Sequence, residues 1–213
     1  TTVFSSGGNY LTDCITIKYS ENGTQEWVRT YNSPKNANDY GSKIVCDSDQ
    51  AIYVAGYASQ NLVLLKYNLN GDLVWERSYI DSQIVSFGIN SMSLDSNRNI
   101  IISGTTGYIG RLDDFITVKY DSYGNLKWST KNSSPGNKDD RPIANIIDPA
   151  GNVYITGSSG KSRYSDFMTV KLDSNGLTKW TNYYNNPYDF DDNAYNISLD
   201  NNNNVYVTGS STF

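Results

Sequence analysis

Four tryptophans at a fixed distance from four lysines constrain the fold of this chain more than any other feature. Each tryptophan lies nine residues after its lysine, and the residues around each pair repeat as well. The pairs are Lys18 with Trp27, Lys66 with Trp75, Lys119 with Trp128, and Lys171 with Trp180. Because a unit of about 50 residues buries its faces only against its neighbours, the repeat predicts a modular architecture.

Each unit has the pattern of four antiparallel strands, which we name A to D in chain order. Strand A ends in an aspartate that starts an Asx turn, and strand B carries an internal glycine that marks a bulge or a close backbone approach. Strand C is rich in β-branched residues and meets strand D at a turn that is Asn-Gly in three of the four units. The aspartates and glycines are Asp47, Asp95, Asp148 and Asp200, and Gly56, Gly104, Gly157 and Gly209. Tandem four-stranded sheets without helical periodicity predict the blades of a β-propeller.

The repeated segments resemble a known family. The runs DFITVKYDSYGNLKW and IIDPAGNVYITGSS, with variants in every repeat, resemble the SBBP (β-propeller repeat) family over nearly the whole chain. This family occurs largely in secreted and cell-surface proteins of bacteria and archaea. The resemblance implies a propeller, usually of about seven blades, in an extracellular or cell-surface setting. The family carries no common catalytic residues, so function has to be argued from the site itself.

Both ends of the chain fall just after a strand B, so the chain is circularly shifted relative to the blade. We expect a single domain over residues 1–213, with repeats at approximately 38–85, 86–138 and 139–192. Residues 1–37 and 193–213 are expected to form one composite blade, which closes a ring of four repeats. The alternative is that the chain is half, or a fragment, of a larger ring of about seven or eight blades.

Composition excludes several classes of function. The net charge of −5 disfavours a nucleic-acid partner, and the apolar runs are too short to insert into a membrane. The absence of histidine removes Ser-His-Asp mechanisms and the usual catalytic zinc sites, and no cofactor is indicated. Cys14 and Cys46 align with apolar positions of other repeats, so both are expected to be buried, with a disulfide between them as the alternative. The lysines of strand C are expected to pack their stems and pair locally.

Length varies among the repeats in one place, the loop from strand B to strand C. The spacing from the strand B glycine to the lysine is 10, 15 and 14 residues in successive repeats. These loops emerge on the same face as the loops from D to A, and variable loops on a rigid scaffold commonly carry recognition. The predicted ligand-binding residues are Tyr10, Tyr57, Tyr108, Arg111, Arg163, Tyr164, Tyr188 and Phe190. The D-to-A loops also offer Asp39, Tyr40, Asp139, Asp140, Arg141, Asp191 and Asp192. A candidate calcium site consists of Asp189, Asp191 and Asp192.

These features predict a non-enzymatic extracellular or cell-surface propeller. It is expected to bind a protein or a glycan through the face formed by the B-to-C and D-to-A loops. A first alternative is a structural subunit that self-associates through its terminal strands. A second is a carboxylate-based glycoside hydrolase, which requires two carboxylates about 5 to 10 Å apart.

Overall fold

The protein is built from β-strands throughout the part of the chain that is described. The structure is a computed structural model that describes residues 11–34, 37–59, 61–108, 112–136, 138–160 and 164–213, with the backbone alone at 85, 86 and 108. None of these residues forms a helix that is long and apolar enough to cross a membrane. The first six strands are β1 (Cys14–Tyr19), β2 (Gln25–Tyr31), β3 (Asp39–Cys46), β4 (Ile52–Ala58), β5 (Asn61–Tyr67) and β6 (Leu73–Tyr79). The other ten are β7 (Ile84–Leu94), β8 (Ile100–Tyr108), β9 (Asp114–Tyr120), β10 (Leu126–Asn132), β11 (Asp140–Ile147), β12 (Val153–Ser159), β13 (Asp166–Leu172), β14 (Thr178–Tyr184), β15 (Asp192–Leu199) and β16 (Val205–Ser211).

The chain divides into two compact units, Thr1–Ser82 and Gln83–Phe213. In the first unit, β3 to β6 form a four-stranded antiparallel sheet, and β1 pairs with β2. In the second unit, β7 to β10 and β11 to β14 form two such sheets, and β15 pairs with β16. Strands follow one another across each four-stranded sheet in chain order, which confirms the predicted A-to-D blades of a propeller. The single domain and the composite blade remain predictions.

The turn from strand A to strand B has the same chemistry in every repeat. Oδ1 of the turn aspartate accepts a hydrogen bond from the backbone N–H four residues later, at 2.8 to 2.9 Å. This contact is made by Asp47, Asp95, Asp148 and Asp200. The carboxylate replaces a backbone acceptor and fixes the reversal, so the predicted Asx turns are confirmed.

Two of the four repeated tryptophans, Trp27 and Trp128, join one blade to the next. Nε1 of Trp27 donates to the Leu69 carbonyl at 3.1 Å, and Nε1 of Trp128 donates to the Ser174 carbonyl at 3.0 Å. Each indole lies on the glycine of the neighbouring C-to-D turn. A Cβ on Gly71 or Gly176 would lie only 2.9 or 2.6 Å from the Cδ2 atom of that indole. These turns therefore require glycine both for the packed ring and for the positive φ.

The strand C lysines pair locally, as predicted. Lys66 lies over the Tyr53 ring at 5.1 Å and Lys171 over the Tyr154 ring at 4.9 Å. In both repeats the tyrosine hydroxyl donates to Oδ2 of the turn aspartate, at 3.0 and 3.1 Å. The second unit's first blade differs, because Ile101 stands at the tyrosine position. In this blade Nζ of Lys119, instead of a tyrosine hydroxyl, contacts Oδ2 of the turn aspartate Asp95, at 2.9 Å.

The two cysteines have different environments. Cys14 is 2% exposed and packs in the core of the first unit, as predicted. Cys46 is exposed, so the prediction that it is buried is wrong. It lies at the end of β3, on the solvent-facing side of the strand that also leaves Ile44 56% exposed. Both thiols are free, which excludes the alternative of a disulfide in this structure.

Candidate functional site

The first residue of strand A is a buried aspartate in three of the four repeats. Asp39, Asp140 and Asp192 are fully buried, and Oδ2 of each accepts a hydrogen bond from the backbone N–H six residues earlier, at 2.5 to 2.7 Å. Their own N–H groups donate to carbonyls that precede strand C of the adjacent blade, at 2.6 to 2.7 Å. These aspartates therefore shape the D-to-A loops and join blades. The prediction that Asp39, Asp140 and Asp192 offer carboxylates to a ligand is wrong for this reason.

The environment of Asp140 shows how closed this position is. Ser134 donates to it twice, from its backbone N–H at 2.6 Å and from its hydroxyl at 2.7 Å. Burial raises the pKa of Asp140, and these hydrogen bonds offset the effect only in part, so the pKa lies above its ordinary value. Asp140 therefore acts inside the loop and does not face solvent.

A cleft of about 430 Å³ lies on the loop face of the second unit, and the residues that directly precede Asp140 and Asp192 line it. It lies between strand A of one blade, β11, and strand A of the next, β15, and the loops that precede both strands form its rim. The loop from β12 to β13 closes its side. The lining residues are Asp139, Arg141, Ile143, Ser158, Gly160, Ser165, Asp191, Asn193, Ala194 and Tyr195. The structure thus gathers B-to-C and D-to-A loop residues around one cavity.

Two β-bulges direct side chains into the cleft. The register of β11 shifts between Pro142 and Ala144, and the register of β15 shifts between Ala194 and Asn196. The extra residue at each bulge is exposed: Ile143 by 39% and Tyr195 by 57%. The Tyr195 hydroxyl lies 2.9 Å from the hydroxyl of Ser210.

The glycines of strand B make these bulges possible. A Cβ on Gly157 would lie 2.0 Å from the carbonyl oxygen of Arg141, and one on Gly209 would lie 1.9 Å from that of Asn193. Such contacts are with backbone atoms, which cannot move aside as a flexible side chain does. The predicted close backbone approach at these glycines is confirmed, and it positions the residues that line the cleft.

Hydrogen bonds fix the polar wall of the cleft. Oδ1 of Asp191 accepts from the backbone N–H and the hydroxyl of Ser165, at 3.4 and 3.2 Å. Oδ1 of Asn193 accepts from the hydroxyls of Ser158 and Ser165, at 3.0 and 3.3 Å. Ser165 is only 3% exposed, so a buried residue fixes the side chains of Asp191 and Asn193 in the cleft. Asp139 is held in the same way, since its Oδ1 accepts from the backbone N–H of the loop before β9, at 3.2 Å.

Arg141 is the cation of this cleft. Its side chain is exposed, and it forms no hydrogen bond or ion pair with the residues that the structure describes. Guanidinium groups bind planar oxygen pairs through two parallel hydrogen bonds. An accessible guanidinium beside the fixed carboxylates of Asp139 and Asp191 can therefore bind a ligand that both donates and accepts hydrogen bonds.

The residues predicted from sequence lie partly around this cleft. Tyr164 and Phe190, which are 63% and 46% exposed, directly precede the lining residues Ser165 and Asp191. Tyr188 is 64% exposed and contacts the ring of Phe213 at a centroid distance of 6.3 Å. Tyr164 and Phe190 therefore belong to the rim, whereas Tyr188 lies in the loop before β15 and does not line the cleft.

The other predicted residues have different positions. Tyr57 is half-buried on β4 of the first unit, where it pairs with Tyr40. Tyr108 ends β8, and only its backbone is described. Tyr10, Arg111 and Arg163 lie outside the described residues.

The calcium candidate does not form a cluster. Oδ1 of Asp189 accepts from Asn185, and both oxygens of Asp192 accept from Asn186. Among the described residues, no group of three or more acidic or cysteine side chains is placed to hold a metal ion. These carboxylates therefore stabilise the loop in which they lie.

Sequence reasoning missed the two bulge residues Ile143 and Tyr195. Each lies five residues before a turn aspartate and directly after the residue that pairs with a strand B glycine, so the repeat alignment contains a signal for their position. The corresponding residues of the other repeats are Ser42 and Asn90. The side chain at this position differs in all four repeats, whereas the turn aspartates and the strand B glycines are the same in each. Variation of this kind on a constant scaffold is typical of a surface that binds a ligand.

Comparison with known proteins supports the fold. The structure is similar to that of Penicillium chrysogenum alpha-L-arabinanase complexed with arabinobiose, with a TM-score of 0.55 and 9% sequence identity over 95% of this chain and 68% of that chain. It is also similar to luciferin-regenerating enzyme, with a TM-score of 0.47 and 11% identity over 95% of this chain and 66% of that one. A protein of unknown function from Bacteroides caccae has a TM-score of 0.35 and 10% identity over 82% of this chain and 76% of that one.

No protein-family model and no curated protein sequence matches this chain. The membership of the SBBP family therefore remains a prediction from the repeated motifs. The four-stranded blades, together with the similarity to the arabinanase, establish a β-propeller protein. At such low identity the similarity extends to the fold alone.

Proposed function

We propose that this protein binds a carbohydrate in the cleft between β11 and β15. The observation that carries the proposal is the combination of the exposed ring of Tyr195 with Arg141 and two carboxylates in a single cavity. The cavity volume of about 430 Å³ is within the range of small-molecule sites, about 300 to 1,000 Å³. Of the two predicted ligand classes, protein and glycan, a small concave site fits a glycan better.

The chemistry of the cleft matches the two sides of a sugar ring. The C–H face of a sugar is apolar and stacks on an aromatic ring such as that of Tyr195. Its hydroxyl groups both donate and accept, so neighbouring hydroxyls suit the guanidinium of Arg141 and the carboxylates of Asp139 and Asp191. Because two carboxylates face one guanidinium here, an acidic sugar is disfavoured and a neutral one is preferred.

The arabinanase that shares the fold was solved with arabinobiose, so arabino-oligosaccharides are the first ligands to test. The test is isothermal titration calorimetry with a panel of neutral and acidic oligosaccharides, including arabinobiose. We expect Arg141→Ala and Tyr195→Ala each to raise the Kd by about tenfold, which is the loss of one charge-assisted hydrogen bond or one stacked ring. Tyr164→Ala, at the rim, is expected to have a smaller effect.

A matched control is Tyr123→Ala. Tyr123 is 76% exposed and belongs to a C-to-D turn of the same unit, on the face opposite to the predicted one. This variant should bind as the wild type does. Equal affinities of the wild type, Arg141→Ala and Tyr195→Ala, or no heat with any neutral sugar, would exclude the cleft as a carbohydrate site.

A second candidate function, glycoside hydrolysis, is favoured by the presence of Asp139 and Asp191 in one cleft. Hydrolysis requires one carboxylate as acid and the other as base or nucleophile. The test is release of reducing ends from the oligosaccharides that bind. Turnover by the wild type that disappears in Asp139→Asn and in Asp191→Asn would show that the protein is a glycoside hydrolase. Binding without turnover would support a lectin-like role.

Two predictions from sequence, the extracellular location and self-association, also bear on this proposal. An extracellular or cell-surface location suits a glycan ligand. Self-association through the terminal strands is the structural alternative, and light scattering of the purified chain distinguishes it. A monomer at every concentration would remove that alternative, and a dimer that persists on dilution would favour it over glycan binding.

A further inference from the structure

The two walls of the cleft carry the same arrangement of side chains. On β11, Arg141 is followed two residues later by Ile143. On β15, Asn193 is followed two residues later by Tyr195. The first residue of each pair has N–H groups that donate hydrogen bonds, and the second has an apolar surface that a bulge exposes. Each wall therefore offers one donor close to one apolar surface.

The other two strand A segments, β3 and β7, lack this arrangement. The residues at the donor position are Tyr40 on β3 and Gly88 on β7, and the bulge residues of these strands are Ser42 and Asn90. Neither strand has an apolar side chain at its bulge. The combination of a donor with an apolar bulge residue therefore belongs to β11 and β15, the two strands that form the cleft.

Two serine hydroxyls fix the orientation of the Asn193 amide. Oδ1 of Asn193 accepts a hydrogen bond from the Ser158 hydroxyl at 3.0 Å. It also accepts from the Ser165 hydroxyl at 3.3 Å, which shares its proton with Asp191. An amide oxygen accepts hydrogen bonds and an amide nitrogen donates them, so these contacts turn the oxygen toward the wall and the nitrogen toward the cleft. Asn193 therefore presents N–H groups to a ligand.

A sugar that has only hydroxyl groups uses part of this chemistry. Its C–H face covers the ring of Tyr195, and its hydroxyls bind the guanidinium of Arg141. A hydroxyl has no apolar surface to cover the aliphatic side chain of Ile143, which is 39% exposed. An acetamido group has both a carbonyl oxygen that accepts from an amide N–H and a methyl group that packs on an aliphatic side chain. It therefore matches the two groups that a plain sugar leaves unused, Ile143 and the Asn193 amide.

We propose that the cleft selects sugars that carry an acetamido group, such as N-acetylglucosamine. This inference rests on the proposed carbohydrate binding and names the class of sugar. The acetamido carbonyl accepts from Nδ2 of Asn193, and the methyl group contacts Ile143. The acetamido N–H donates to a carboxylate of the cleft, from Asp139 or Asp191. The acetamido group is uncharged, which agrees with the preference for a neutral ligand.

The experiment is calorimetry with two disaccharides that differ only in this group. N,N′-diacetylchitobiose carries an acetamido group on each ring, and cellobiose has a hydroxyl in its place. We expect the acetylated disaccharide to bind at least about tenfold tighter, the combined effect of one hydrogen bond and one buried methyl group. Equal affinities, or tighter binding of cellobiose, would overturn this inference and leave the carbohydrate site in place. Binding of arabinobiose without binding of the acetylated disaccharide would do the same, whereas no binding of any neutral sugar would overturn both proposals.

Three variants test the individual contacts through the ratio of the two affinities. Asn193→Asp replaces the amide nitrogen with an acceptor oxygen and keeps both serine contacts, so the preference for the acetylated disaccharide should fall about tenfold. Ile143→Ser introduces the residue that β3 has at this position, and the preference should fall about fourfold. Tyr195→Ala should weaken both disaccharides to a similar extent. Partial loss of folded protein does not change this ratio, so an unchanged ratio in Asn193→Asp would refute the role of the amide.

Discussion

The buried pair of Lys119 and Asp95 offers a sharp test of how one repeat departs from the others. Their side chains are only 7% and 2% exposed, and Nζ lies 2.9 Å from Oδ2. Replacing Lys119 with methionine keeps most of the stem and removes the charge. Removing one partner of a buried pair costs about 3 to 5 kcal/mol, because the other charge is left buried.

The structure indicates that the loss of unfolding free energy in Lys119→Met lies at the lower end of that range. In Lys119→Met, Asp95 keeps hydrogen bonds from the backbone N–H groups of Asn97 and Asn99 and from the Asn99 side chain, at 2.8 to 2.9 Å. We therefore expect the free energy of unfolding to fall by about 3 kcal/mol. Lys171→Met is the matched control, since its Nζ lies over the Tyr154 ring. There the loss should be about 1 kcal/mol, the size of a cation–π contact.

The repeats also suggest a rescue. The other repeats have a tyrosine where Ile101 stands, and its hydroxyl donates to the turn aspartate. In the double variant Lys119→Met with Ile101→Tyr, this hydroxyl should restore about 1 to 2 kcal/mol, as hydrogen bonds to charged groups do. Urea unfolding followed by tryptophan fluorescence gives each value by linear extrapolation. A loss in Lys119→Met no larger than in Lys171→Met would refute the buried pair.

The same pair predicts a pH dependence. Burial by itself raises the pKa of Asp95, but hydrogen bonds from Asn99 and Lys119 outweigh it and hold the pKa below its ordinary value. A pKa that is lower in the folded state stabilises the protein above the unfolded pKa of about 4, and this contribution is lost as pH falls through the folded pKa. The stability difference between the wild type and Lys119→Met should therefore shrink from about pH 7 to about pH 3. A constant difference would contradict this sign.

Two further substitutions test the scaffold and its link to the cleft. Trp128→Phe keeps a ring on Gly176 and loses the hydrogen bond to Ser174, so urea unfolding should show a loss of about 1 kcal/mol, and no loss would exclude the clamp. Gly157→Ala places a Cβ 2.0 Å from the Arg141 carbonyl, so we expect about 2 to 3 kcal/mol of destabilisation together with weaker sugar binding by calorimetry. A stable Gly157→Ala variant that binds sugar with wild-type affinity would contradict the claim that the bulge opposite Gly157 positions the residues of the cleft.

Much of the fold follows from the sequence because its causes are local. An aspartate four residues before a backbone N–H closes a turn by itself, as at Asp148, and Asn-Gly selects a hairpin. A glycine such as Gly157 marks a close backbone approach wherever a strand requires one. Short-range spacing of this kind repeats four times, which makes the blade pattern readable.

The site was less predictable, because its residues meet across blades. Asp191 and Asp192 are neighbours in the chain, yet one lines the cleft and the other is fully buried. Alternation along a strand explains why adjacent side chains point in opposite directions, but sequence does not state which direction is the open one. Cys46 shows the same limit, since its apolar alignment predicted burial and its strand face is exposed.

The sequence by itself determined a chain of four-stranded blades, the glycines that those blades require, and the face on which the variable loops emerge. The tertiary structure decided that Tyr195 and Ile143 reach one cavity with Arg141, because bulges on two strands about 50 residues apart project toward the same space. It also decided which Asn-Gly turns are covered by an indole. Contacts between neighbouring blades depend on packing in three dimensions, and no interval along the chain encodes them directly.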